Sequence, residues 1–533
     1  MNNADLIVAT LSRAGIRRGF GIPSGNVLPL IEAMRTGGVE FVLTAHEGSA
    51  AFAADVTGRM TGRPGLCIAT LGPGATNLST GVGSAFLDRS PMLALTCNLN
   101  TNQLGRRIQM YIDHHALFAP ITKASLALGH GNVAETLAEA IAIALAEPMG
   151  PVHLDLPEDV ALAPAEGEVP QIADGSRLDP APDEAIAEAA RLLGEAKRPV
   201  VVIGSTAMRL DDFSALRHFV ERNDLPFATT TMAKGLIDEN HALSLGCIER
   251  GKRQVQRRFL RGADLIVGLG YDTIEVEYEA WVGPVPVLNI DIDRADVDET
   301  VRVVHEVTGD LAASLDRLNA LPAASNDWPT DAASDHRRTY QAALRPASEA
   351  FCPHQAIDVV RAVLPPDGVL AFDVGAHTHQ ISGQWAATRP RRFLITNGWS
   401  SMGFGLPAAI AAKLARPDLP VVCVLGDGCF QMTCGELATA KRAGLALPVV
   451  VLDDALLGLI VIKQEQRQFG VYGTELGSGL PPEPPAHYFG VPTRSARTAD
   501  QLDAALREAF EAVGPTVIHT AVDPAHYFET VFD

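Results

Sequence analysis

The stretch from Val421 to Ile460, VVCVLGDGCFQMTCGELATAKRAGLALPVVVLDDALLGLI, leaves few ways to fold. Val421 to Leu425 is an unbroken apolar run, as a strand buried on both faces requires. It stops at Gly426-Asp427-Gly428, and a helical pattern begins near Phe430. A second apolar run, Pro448 to Leu452, ends in Asp453-Asp454. Two buried strands joined by a helix run parallel, because a parallel pair needs a crossover. Both acidic tips then reach the same sheet edge, where open α/β sheets bind ligands. Backbone N–H groups at the helix start hold a phosphate. A carboxylate beside a phosphate needs a bridging cation, and Mg²⁺ accepts both kinds of oxygen in one octahedral shell. Taken alone, Gly-Asp-Gly also reads as a glycine-rich turn with surface acids.

The same alternation of apolar runs and amphipathic helices fills the chain. Residues 1–170 read as helix Ala4 to Ala14, a strand end and turn over Phe20 to Asn26, helix Leu28 to Arg35 and strand Glu40 to Thr44. A small-residue helix follows His46, and strands are expected at Leu66 to Thr70, Pro91 to Thr96 and Pro151 to Leu156. Residues 184–322 offer strands at Pro199 to Ile203, Leu265 to Leu269 and Val285 to Ile290. Residues 350–533 offer Val369 to Phe372, Phe393 to Thr396, Val421 to Leu425, Pro448 to Leu452 and Thr516 to His519. Ala163 to Asp183 and Leu321 to Asp335 read as linkers. The expected fold is α/β, with three Rossmann-like, mostly parallel sheets carrying helices on both faces.

A chain of 533 residues, 47% hydrophobic, has material for three cores. Its net charge of −20 and lack of a basic block argue against nucleic acid and anionic membrane partners. Seven scattered cysteines, mostly in apolar runs, read as buried free thiols of a reducing cytoplasm. The start, MNNADLIVATL, is not a signal peptide, and no apolar run is long enough to span a bilayer.

Five stretches carry a resemblance in order along the chain: His46-Glu47-Gly48, GPGATN at 72–77 with Asp88 to Pro91, GPVHLDLPEDV at 150–160, NGWSSMGFGLPAAIAA at 397–412, and the Gly-Asp-Gly segment itself. Together they resemble thiamine diphosphate enzymes, and the stretch at 397–412 resembles their acetolactate synthase branch. The resemblance implies a pyrimidine-binding first domain, a central domain, and a diphosphate- and Mg²⁺-binding third domain. It assigns Mg²⁺ to Asp427, the Asp454 side chain and the Leu456 carbonyl. Asp454 stands 27 residues after Asp427, where the family carries Asn. An extra anion there costs up to about 4 kcal/mol at a ~4 Å separation and an effective dielectric of ~20, so a compensating cation or donor is expected.

By the same resemblance Glu47 activates the cofactor through N1′ of the aminopyrimidine, chemistry worth roughly 10²–10⁴-fold. Without the resemblance, Glu47 is a solvated acid at a helix start. Cofactor contacts are implied at Pro23, Gly25, Thr70, Asn77, Ala376, His377, Ser401, Met402, Gly426, Gly428, Cys429 and Leu457. Met402 would lie under the bend of the cofactor, or simply pack in the core. His377 lines the diphosphate end and is a candidate donor to Asp454, or caps a helix. His114-His115 resembles the paired histidines of pyruvate decarboxylases, and a neutral-range imidazole can protonate an intermediate; the bland alternative is a capping or interfacial pair.

Gly25 matches acetolactate synthases and leaves room for a second substrate but no proton donor. Tyr271 to Glu275 resembles the FAD-free synthases, so FAD is not expected. Gly458 to Gln464 lacks the Arg and Trp of the anabolic enzymes. The resemblance thus implies decarboxylation of a 2-oxo acid and carboligation to a carbonyl acceptor. Release of a free aldehyde and a non-catalytic cofactor-binding paralogue are the alternatives. Sites formed between subunits of a homodimer or homotetramer are also implied.

Overall fold

The structure is a computed structural model that describes residues 1–173, 175, 178–477 and 483–531. Part of the first expected linker, at 174, 176 and 177, lies outside the described residues. Three sheets of six, six and seven strands form. In spatial order the first is Glu40–Leu43, Arg18–Gly21, Gly65–Thr70, Met92–Asn98, Pro151–Pro157 and Ala124–Ala127, all parallel. The second is Val303–Thr308, Val287–Asp291, Leu265–Leu269, Pro199–Ile203, Phe227–Thr229 and Ser244–Cys247, also parallel. The third is Phe393–Leu394, Val369–Phe372, Val421–Gly426, Pro448–Asp453, Thr516–Ala521, Val491–Ala496 and His487–Tyr488, only the last pair being antiparallel.

The strands expected from unbroken apolar runs form because both faces are covered. Pro199–Ile203 and Leu265–Leu269 are buried at every position. The short and mixed strands Ala124–Ala127 and Val303–Thr308, half-buried along most of their length, gave no such run. The segment expected to be the second linker is different in kind. Helix Ala332–Ala343 begins inside it. Trp328 stacks on Phe259 with ring centroids 4.7 Å apart and donates its indole N–H to the Pro199 carbonyl at 2.9 Å. The indole anchors this otherwise mostly exposed stretch to the central domain.

The first and third domains share one apolar core. Helix Glu47–Thr61 packs on helix Gly405–Ala415, with Phe52 edge-on to Phe404 at 5.7 Å. The small residues of the first helix permit close approach to helix Pro73–Leu87. A β-carbon on Gly81 would stand 2.4 Å from that of Ala51. All seven cysteines are free, six of them buried. Among the described residues no helix is long and apolar enough to cross a membrane.

Candidate active site

Each sheet has a point where the connections from neighbouring strands leave in opposite directions, and a crevice opens there. In the third sheet this point lies between Val369–Phe372 and Val421–Gly426. The Gly-Asp-Gly turn and the segment 373–377 follow those two strands. Leu425 pairs with Val451 and Gly426 with Leu452, so Asp427 and Asp454 leave adjacent strands at one edge.

Asp427 opens helix Asp427–Thr433, three residues before the expected start. Its Oδ1 accepts from the Gly428 N–H at 2.7 Å, while Oδ2 is buried without a partner. Asp454 Oδ1 accepts from the Leu456 N–H at 3.0 Å. Burial, then the facing Asp454 charge and Asp453, push Asp427 up to about 8. Burial foremost lifts Asp454 to about 7. The cation or donor expected beside Asp454 has its counterpart one residue away: His519 Nε2 lies 2.5 Å from Asp453 Oδ2, and this contact holds Asp453 below the usual carboxylate range.

His377 does not bond Asp454. Its ring lies beside Gly426, where a β-carbon would meet it at 3.2 Å, and its Nε2 is buried without a partner. Burial lowers this imidazole to about 4. Ala376 is the buried first residue of helix Ala376–Gln384. A β-carbon on Gly428 would meet Leu457 at 3.0 Å and the Met402 methyl at 3.3 Å, so Met402, Gly428 and Leu457 line one narrow space. Ser401 donates to the Met402 carbonyl at 3.0 Å, and Cys429 Sγ bonds the Val374 carbonyl at 3.1 Å. The Met402 loop is held by Asp373, which sequence reasoning had given no role. This buried carboxylate accepts from Gly403 N at 3.0 Å and Gly405 N at 2.8 Å. An acid closing a buried strand was the available signal.

In the first sheet such a point lies between Arg18–Gly21 and Gly65–Thr70. Pro23 and Gly25 follow the first strand and are exposed; a β-carbon on Gly25 would have nothing within 4 Å. Thr70 ends the second, buried, with Oγ1 unpartnered. Glu47 opens the small-residue helix, capped by His46, and is 9% exposed. Its Oε2 accepts from Asn77 Nδ2 at 2.9 Å. Gly74 comes close enough that a β-carbon there would meet Glu47 Oε1 at 3.4 Å. His114 engages both ring nitrogens inside the first domain, and His115 Nδ1 bonds Ser125 Oγ at 2.7 Å.

Among the described residues no hydrogen bond or ion pair joins the Glu47 group to the Asp427 group. The third domain instead reaches the backbone just before Glu47. Buried Glu436 accepts from the N–H groups of Ala45 at 2.9 Å and His46 at 3.1 Å. Glu436 was not anticipated either, since its role depends on a contact between residues 391 and 390 positions apart.

The central sheet reverses between Pro199–Ile203 and Leu265–Leu269, but an internal acid fills that edge. Half-buried Glu275 accepts from Ser205 N at 2.8 Å, Thr230 Oγ1 at 2.8 Å and Met232 N at 3.0 Å. At the two outer edges, by contrast, buried polar atoms of Thr70, His377 and Asp427 have no partner among the described residues, and the Asp427 and Asp454 carboxylates crowd one another. That donor set fits a group bearing both diphosphate and a divalent ion.

Comparison with known proteins bears on the same three regions. The family described as the thiamine pyrophosphate enzyme N-terminal TPP binding domain matches residues 1–117, the central domain 186–318, and the C-terminal TPP binding domain 373–520. Over 98% of its length the chain is 31% identical to the acetolactate synthase isozyme 1 large subunit of Escherichia coli, spanning 94% of that protein. The chain belongs to the thiamine pyrophosphate enzyme family. It is 31% identical to the isozyme 2 large subunit of the same bacterium, over 98% of this chain and 96% of that one. It is 29% identical to acetolactate synthase of Bacillus subtilis, over 98% and 93%. As a member of this family it is an enzyme dependent on thiamine diphosphate, with the cofactor-binding domains at its two ends.

Proposed function

We propose that this enzyme decarboxylates a 2-oxo acid of the pyruvate kind and joins the remaining fragment to a second carbonyl compound, as acetolactate synthases do by name. The observation that carries the reading is Glu47: a buried carboxylate at a sheet switch point, held at Oε2 by Asn77. That bond leaves Oε1 to hold or release a proton at the pyrimidine. Thiamine diphosphate, when bound, supplies the carbanion-stabilising centre that amino-acid side chains lack. Pro23, Gly25, Thr70 and Asn77 serve its pyrimidine side, with Glu47. Ala376, His377, Ser401, Gly426, Gly428, Cys429 and Leu457 would serve its diphosphate side, Met402 would support its bend, and Asp427, Asp454 and the Leu456 carbonyl would hold Mg²⁺. The unpartnered Asp427 Oδ2 supports the metal assignment.

The open space around Gly25 favours carboligation, since it admits an acceptor and brings no proton donor. The central domain acts as a spacer without FAD, a reading supported by Glu275 on the backbone N–H groups of Ser205 and Met232. The working unit is a homodimer or homotetramer in the cytoplasm. Exposed apolar side chains on both cofactor domains, among them Leu28, Met110, Trp399 and Met432, suit burial against a second copy.

The test measures CO₂ release and product mass from pyruvate, with thiamine diphosphate and Mg²⁺, for the wild type and Glu47→Gln. Acetolactate from the wild type and its loss in the variant are expected. Acetaldehyde with CO₂ would replace carboligation by simple decarboxylation. A flavin absorbance spectrum of the purified protein would overturn the FAD-free reading.

A further inference from the structure

Beneath residues 72–77, the cap and first turn of helix Pro73–Leu87, lies a buried polar chain that no step above uses. His114 and His153 are almost fully buried, and both face the Thr96 hydroxyl, at 3.0 Å from His114 Nδ1 and 2.8 Å from His153 Nε2. Asp155 Oδ1 lies 3.1 Å from His114 Nδ1 and 3.2 Å from Thr96 Oγ1. Asn98 Nδ2 donates to both Asp155 oxygens, at 3.1 and 2.9 Å. Beyond His153, Ser125 Oγ bonds His153 Nδ1 and His115 Nδ1, each at 2.7 Å.

One end of this chain has a fixed direction. The Gly72 N–H donates to His114 Nε2 at 3.3 Å. An amide nitrogen only donates, so Nε2 carries no proton and the neutral ring must carry it on Nδ1. Nδ1–H then points at Asp155, an acceptor on both oxygens. Gly72 itself is conformationally demanding: its φ is +61°, and a β-carbon would stand 2.4 Å from the Met110 carbonyl oxygen. The turn it begins carries Gly74 against Glu47 and Asn77 onto Glu47.

We propose that Asp155 is a positioning residue, which fixes the Nδ1–H tautomer of His114 so that Nε2 accepts from Gly72 and holds the 72–77 turn against Glu47. The tautomer is set by what the other nitrogen bonds, as for any oriented imidazole. In Asp155→Asn the amide offers an N–H toward Nδ1. The imidazole proton moves to Nε2, where it opposes the Gly72 N–H. His114, His153 and Asp155 also offer ligand atoms within 4.8 Å of one another. Those atoms are already bonded to Thr96 Oγ1, so the cluster reads as a hydrogen-bonded unit and not as a metal seat.

The proposal rests on the reading that the 72–77 turn borders the cofactor, and the test separates the two. Imidazole ¹⁵N NMR of the wild type, assigned with His114→Gln, should show the Nδ1–H form of His114 at neutral pH. Asp155→Asn should convert it to Nε2–H. The thiamine diphosphate concentration for half-activation should rise about tenfold, with turnover at saturation little changed. The Nε2–H form in the wild type overturns the proposal. So does a converted tautomer with unchanged half-activation, or zinc found bound through His114 and His153. Failure of the wild type to bind thiamine diphosphate in calorimetry overturns the functional reading instead, and leaves the tautomer result standing on its own.

Discussion

The central and third domains end their parallel sheets in the same way, with acids at a switch point, and differ in what those acids touch. Glu275 sits on two backbone N–H groups and a hydroxyl. Asp427 faces Asp454 and keeps one buried oxygen without a partner. A satisfied acid closes a crevice, because no ligand can displace it without leaving those N–H groups bare. A crowded, unsatisfied pair keeps its edge open, because it takes up a proton or a cation in relief. The fold supplies the crevice in both cases, and the local bonds decide whether a ligand is needed there.

The largest effect that would break this contrast is at Asp427. Asp427→Asn should lower activity about a hundredfold or more by weakening the metal, and activity across a Mg²⁺ titration checks it. Near-normal activity would place the metal elsewhere. Next is Glu275→Ala, which strips two backbone N–H groups of their acceptor at about 1–3 kcal/mol each. Thermal unfolding should show the loss, while turnover at a permissive temperature stays near wild type. A large fall in turnover with unchanged stability would make the central edge functional. Asp454→Asn should act in the opposite direction, tightening Mg²⁺ and cofactor severalfold by removing an anion from the diphosphate. Clear weakening in the titration would refute the metal assignment.

The smallest effect is in pH dependence. Burial lifts Glu275 to about 7, above the ordinary glutamate value. The folded protein therefore holds this proton more tightly than the unfolded chain. The stability this contributes is present below about pH 4 and lost as pH rises through about 7. Glu275→Gln should make the fall in stability across that window shallower, as read from urea unfolding at successive pH values.

The strands with unbroken apolar runs were legible because burial on both faces writes itself into every residue. Pro199–Ile203 and Val369–Phe372 begin and end where the sequence says. Ala124–Ala127 and the helix inside the 321–335 segment were not legible, because half-buried elements and a Trp328 that docks elsewhere leave no local period. At the site, Asp427 and Asp454 could be placed on one edge from strand–helix–strand logic alone. Glu436 could not, since it acts on backbone that reaches it only through a distant packing contact.

The sequence by itself determined the class of fold and which two domains bind the cofactor, because apolar periodicity and motif order are local properties of the chain. Tertiary structure alone decided which acids are satisfied. It gave Asp453 and not Asp454 its histidine, left His377 Nε2 without a partner, seated Glu275 on the central edge, and set Asp155 behind His114. Those outcomes depend on which donors a folded backbone brings within about 3 Å, and that proximity is created only when the sheets assemble.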